Sequence, residues 1–201
     1  LRKEAQDQEK RDEYTAKFKE LMQLAVTKDP ENGILYYNLG VISFENNDFD
    51  KALDSYQKVL SNTISITRIQ ESNLKIVQIY RLRGELEKSA NIIQDLLVDE
   101  DFNSIKADLD LELIKIEFER GKIDFAIQNY DRIGKDYPNT KTAIEAYFLL
   151  SEIYLSSLYL DFEKVQFFMN ESMRQNTNSS FKQIINKRRN AVSYTHLRAH
   201  E

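Results

Sequence analysis

An all-α chain of antiparallel helix pairs is expected from this sequence, on three grounds. The segments FENNDFDKALDSYQKVL (44–60), RLRGELEKSANIIQDLL (81–97) and FERGKIDFAIQNYDRIG (118–134) align without gaps, and Asn47, Gly84 and Gly121 recur every 37 positions. A fixed period of this length is the signature of a repeat built from one supersecondary unit. Within each segment the apolar residues fall at helical spacing, with a polar opposite face. The 201 residues hold only five Gly and two Pro, too few for the many turns of a strand-rich sandwich.

The elements follow in order. Residues 1–11 are highly charged and are expected either to extend a helix or to fray, and 12–28 read as a helix with Phe18, Met22 and Ala25 on its buried face, so 1–30 is expected to close a preceding repeat. Helices are expected over 31–46, 49–62, 66–83, 86–99, 103–120, 123–136, 140–157 and 161–176. Asn47, Gly84 and Gly121 end the first helix of a pair, where a left-handed residue is favoured and Gly or Asn adopts it at least cost. Phe49, Leu86 and Ile123 cover the turn. Ala52, Ser89–Ala90 and Ala126 are small where the two helices approach closely, and Tyr56, Ile93 and Tyr130 lie one turn further along the same face, followed by Val59, Leu96 and Ile133. In a fourth pair Asn139 or Thr140 is positioned to cap the first helix. The turn to its second helix, which begins near Asp161, is about two residues longer than the others.

Residues 177–191 are expected to form a capping helix. The last ten residues, VSYTHLRAHE (192–201), resemble one reading frame of a sequencing-library adaptor; they are expected to be non-native, exposed and removable. On that reading, and because the chain opens on Leu1, the sequence is expected to be an internal fragment of a longer protein.

The repeats resemble the tetratricopeptide repeat, best over GILYYNLGVISFENNDFDKALDSYQKVL (33–60). There Tyr36, Leu39 and Gly40 fit the first-helix signature, and Asn47, Phe49, Ala52, Tyr56 and Val59 fit the remainder. Pro30 and Pro138 stand where that family closes a second helix. The second repeat has Ile76–Val77 and the third Leu113–Ile114 in place of Leu-Gly, so these two are degenerate. The resemblance implies a right-handed superhelical solenoid of about four antiparallel helix pairs over 31–176. It also implies a non-catalytic scaffold that binds a protein or peptide on its concave face. The turn DYPNT is similar to one found in bacterial envelope members, which leaves periplasm or envelope and cytoplasm both open.

Composition narrows the chemistry. A net charge of −5 gives no basic footprint for nucleic acid. There is no Cys, and His196 and His200 both lie in the final ten residues, so the commonest general base and the thiol nucleophile are missing from the repeats. No phosphate loop, zinc-ligand spacing or membrane-length apolar run is present. Enzymatic activity, cofactors and metals are therefore not expected. Asp99, Asp101, Asn103 and Asp110 echo a calcium loop, but Ser104 replaces its glycine, and an interhelix turn with Asn103 or Ser104 as a cap is the better reading. The basic run Lys187–Arg189 reads as a solvated helix C-terminus.

The resemblance places a second set of residues on the concave face. These are Tyr37, Asn38, Val41 and Phe44, then Leu74, Gln78 and Arg81, then Leu111, Lys115 and Phe118, then Phe148 and Glu152. So many apolar side chains on a solvated face call for a cover, either a partner or neighbouring repeats. Arg81 and Lys115 are expected to meet acidic groups of the partner. Asn38 matches the asparagine that in many members bonds a peptide backbone, but Lys75, Glu112 and Leu149 do not, so a clamp for C-terminal carboxylates is not implied. The alternative is a regulatory or targeting module of a longer chain whose catalytic part lies elsewhere.

Overall fold

The computed structural model describes residues 2–156, 158–175 and 181–198, with side chains over 10–156, 158–175 and 182–190. Among them the regular structure is helical: α1 (Arg2–Lys28), α2 (Gly33–Glu45), α3 (Phe49–Asn62), α4 (Ile66–Leu82), α5 (Leu86–Leu97), a 3-10 helix (Glu100–Ile105), α6 (Lys106–Glu119), α7 (Ile123–Asp136), α8 (Lys141–Leu155), α9 (Phe162–Arg174) and α10 (Phe181–Arg198). These divide into two compact units, Leu1–Asn103 and Ser104–Glu201. The first packs the pairs α2/α3 and α4/α5 behind α1; the second packs α6/α7 and α8/α9 ahead of α10.

The turns explain the period. Asn47, Gly84 and Gly121 adopt left-handed backbone, with φ of 58°, 75° and 83°. The next residue, Asp48, Glu85 or Lys122, then donates its N–H to the carbonyl five positions back, on Ser43, Tyr80 or Glu117, at 2.8–3.0 Å. This closes the last helical carbonyls in a Schellman-type bond and starts the return helix at once. Three further caps fix the helix starts. Asn32 Oδ1 accepts from Ile34 N and Leu35 N, Thr140 Oγ1 from Ala143 N at 3.1 Å, and Asp161 Oδ1 from Lys164 N at 3.1 Å.

Ala52, Ser89 and Ala126 are fully buried at equivalent places on α3, α5 and α7, where each helix crosses its partner. Ser89 adds a bond that alanine lacks, its Oγ donating to the Val77 carbonyl at 2.8 Å. Tyr56, Ile93 and Tyr130 fill the space one turn on. Gly40 lies directly beneath the Tyr56 ring and Gly134 beneath the Tyr147 ring, so close ring-on-backbone packing recurs in both units.

Two sequence-based expectations are corrected. The segment before α6 is a 3-10 helix and the α6 N-cap is Ile105, not Asn103 or Ser104. The cause is the turn at Asp99, whose Oδ1 accepts from Asp101 N at 3.0 Å while its carbonyl accepts from Phe102 N, driving Phe102 inward. Phe18 is 46% exposed, because α1 packs chiefly against α2. The α10 backbone runs on to Arg198. Ser157, Asn176 at the expected end of the fourth pair, residues 177–180 and the side chains of 181 and 191 in the expected capping helix, the side chains of 192–198 and residues 199–201 lie outside the described residues.

Candidate protein-interaction surfaces

In the first unit the expected residues have three environments. Tyr37 and Phe44 lean on the core of α3 and α4. Tyr37 meets Tyr56 edge-on and Phe44 meets Phe49 edge-on, and each has a cation from α4 over its ring. Arg68 stands 4.1 Å from the Tyr37 centroid and Lys75 stands 4.3 Å from that of Phe44. Burial, then the Glu71 carboxylate, raises the Tyr37 phenol above its ordinary pKa. Neighbouring helices thus cover much of these rings. Asn38 and Val41 face a groove of about 330 Å³ shared with Tyr14, Thr15 and Phe18 of α1. Leu74, Gln78 and Arg81 are half-buried along α4, where Gln78 accepts from Lys75 Nζ at 3.1 Å.

In the second unit α6 and α8 meet through an ionic network. Lys115 Nζ donates to Glu112 at 2.7 Å and to Glu145 at 2.5 Å, and Thr142 Oγ1 donates to Asp108 Oδ1 at 2.6 Å. Burial pulls the Lys115 pKa down, but Glu112 and Glu145 together outweigh it and hold the ammonium above its ordinary value. Burial, reinforced by Glu145 and Glu112 and opposed by the Thr142 hydroxyl, raises the Asp108 pKa. The network carries three carboxylates against one ammonium. Lys115 is therefore already neutralised within the fold rather than presented to an acidic partner. Leu111 is a further correction: at 2% exposure it belongs to the core with Ile114 and Ala126, and it offers a partner no surface.

The expected residues that come together are Phe118 and Glu152. They border an apolar cavity of about 180 Å³, with Ile123 of α7, Leu149 of α8 and Leu158 and Tyr159 of the turn before α9. Phe118 is 38% exposed. Glu152 is the one charged side chain among the described lining residues. Its carboxylate is gripped at both oxygens by Arg188 of α10, whose Nε and Nη2 donate at 3.0 and 3.1 Å. Ile185, fully buried, anchors the same helix.

The fourth turn departs from the other three. Asp161 N bonds the carbonyl of Tyr154, seven positions back rather than five, so two residues are inserted. The left-handed residue before it is Leu160, φ 45°, where the other turns use Asn or Gly. Leu158 and Leu160 stay 64% and 56% exposed while Tyr159 packs edge-on against Tyr154. The left-handed conformation costs a β-carbon residue about 1–2 kcal/mol. Leu160→Gly is accordingly expected to raise stability by about 1 kcal/mol, read from the urea midpoint; a fall would mean that the leucine side chain contributes more packing than its exposure indicates. The sequence marks this turn as about two residues longer than the others, and the structure agrees; Leu158 and Tyr159 as lining residues, and the left-handed Leu160, are what helical spacing does not mark.

No group of three or more His, Cys, Asp or Glu among the described residues is arranged to hold a metal ion, and no described helix is long and apolar enough to cross a membrane. The class is thus an all-helical protein of antiparallel helix pairs, with an apolar cavity bordered by Glu152 in its second unit. Residues 33–63 match the family model of the tetratricopeptide repeat; that segment is one such repeat, and the chain has the tetratricopeptide-repeat fold. No curated protein sequence matches. Among solved structures, the chain is similar to TTC0263, a thermophilic tetratricopeptide-repeat protein of Thermus thermophilus (16% identity, 88% of this chain and 89% of that one, TM-score 0.63). It is also similar to MamA (15%, 84% and 92%, TM-score 0.57). A third is YrrB, described as a tetratricopeptide-repeat protein with an unusual peptide-binding site (11%, 89% and 86%, TM-score 0.51). At these identities the likeness establishes the fold.

Proposed function

We propose that the chain is a non-catalytic scaffold that binds a protein or peptide partner through the faces of the first helices of its pairs. The observation that carries this reading is the apolar cavity beside Phe118. An exposed aromatic at the edge of an unfilled apolar pocket is the arrangement in which a partner's anchoring side chain gains most. The half-buried Tyr37, Asn38, Val41 and Phe44 on α2, Leu74, Gln78 and Arg81 on α4, and Phe148 on α8 supply further surface in their own units. A peptide-binding site in YrrB supports the reading by analogy of fold alone.

The test is affinity capture from a native lysate, comparing the wild type with a Phe44→Ala/Phe118→Ala variant whose helicity is checked by circular dichroism. Loss of the wild-type partners is expected. Capture of the same partners at the same affinity by the folded variant would move the function off these faces.

A further inference from the structure

We propose that the cavity between α6, α7 and α8 takes a basic peptide segment, one bulky apolar side chain entering the cavity and an arginine or lysine pairing with Glu152 in place of Arg188. The inference rests on the interaction reading above and specifies its partner. The cavity walls are apolar, from Phe118, Ile123, Leu149 and Leu158, so its contents are an apolar side chain. Its single carboxylate sets the charge beside that side chain. The molecule itself supplies the precedent, since a guanidinium from another helix already sits two-pronged on Glu152.

The flank formed by α6 and α8 has the same sign as Glu152, while the basic run Lys187–Arg189 lies on α10. Glu145 lies two helical turns before Glu152 on α8, and the network of Asp108, Glu112 and Glu145 against the single Lys115 leaves that flank negative. An acidic segment would be repelled there, whereas a basic one is drawn in. The inserted turn adds the second, independent mark. It holds Leu158 and Tyr159 over the cavity and exposes Leu160 in a backbone state that leucine adopts at a cost, where glycine or asparagine closes the other turns. Arg188 is then an internal stand-in, and its release from Glu152 accompanies binding. Because the Arg188 side chain is about half exposed and its helix is held separately by Ile185, that exchange leaves α10 in place.

A phage-displayed library of random dodecapeptides, selected against the whole chain, provides the test. The enriched peptides are expected to share an arginine or lysine at fixed spacing from a large apolar residue. Synthetic copies should bind Glu152→Gln about 5- to 10-fold more weakly, as loss of a charge-assisted pair entails, and Arg188→Gln about 3-fold more tightly, as removal of a half-exposed competitor entails. Circular dichroism confirms that both variants fold. Enriched peptides that depend on Phe118 but carry no basic residue would overturn the charge assignment while leaving the interaction reading standing. Enriched peptides indifferent to both Phe118 and Glu152, or no enrichment at all, would overturn the site; the capture experiment then judges the interaction reading separately. Equal binding by wild type and Arg188→Gln would overturn the exchange.

Discussion

Lys115→Met is expected to cost about 3 kcal/mol of stability at neutral pH, because it leaves buried carboxylates without their counter-charge. Glu112 is almost wholly enclosed, and its Oε1 and that of Glu145 both accept from the same ammonium, with Asp108 close by. Removing the lysine sets like charges against one another in a site shielded from water. A Lys115→Met/Glu112→Gln double variant should recover part of the loss. Chemical denaturation across pH is the measurement. The Lys115 pKa is raised by folding, so its contribution is fully present below the ordinary lysine range and fades as pH climbs through the raised value. The variant lacks that alkaline limb. The Asp108 pKa is also raised, and a carboxyl that holds its proton more tightly in the fold makes stability fall as pH rises from the ordinary carboxylate value to the raised one. The deficit of the variant should therefore shrink on acidification. A deficit that is constant from about pH 4 to 8 would show that the lost methylene packing, not charge, is responsible.

Gly134→Ala is expected to destabilise the second unit by about 1–3 kcal/mol, the usual cost of forcing one extra methyl into a filled core. A β-carbon there would meet the Tyr147 ring, with Cε1 and Cε2 at 2.6 Å. The ring is buried and its retreat is hindered by Phe168, which stacks on it with centroids 6.1 Å apart, and by Tyr154, which stacks in turn on Phe168. Thermal unfolding is the readout, with a fall of roughly 2–4 °C per kcal/mol for a chain of this length. An unchanged midpoint would mean that α7 and α8 do not cross at this glycine.

Much of the fold was legible because its determinants are local. Left-handed Asn47, Gly84 and Gly121, small Ala52, Ser89 and Ala126 and the apolar stripes on α3, α5 and α7 each follow from a residue's own backbone preference or from helical spacing. From α2 to α9 the expected helix ends agree with the observed ones to within a few residues; a side-chain-capped turn and the inward pull of Phe102 give 3-10 geometry at Glu100–Ile105, while α1 starts already at Arg2 and α10 runs on to Arg198.

The surface was legible only in part. Equivalent positions 37 residues apart look alike in sequence, yet Tyr37 is capped by Arg68, Leu111 is core and Phe148 is half-buried. Periodicity states which side of a helix a residue occupies, and nothing in it states what the next pair brings opposite. The sequence by itself determined the class, the repeat length, the left-handed Asn47, Gly84 and Gly121 and the residues by which α3, α5 and α7 face their partners, since these are set within one helix pair and its turn. Tertiary structure alone decided that Lys115 is consumed by Glu145, that Thr142 reaches Asp108, that Arg188 seats on Glu152 and that Phe118 borders a cavity. The three polar contacts join side chains 30 to 36 positions apart on separate helices, and they depend on how one pair is laid against the next, a geometry set by the summed packing of whole helices.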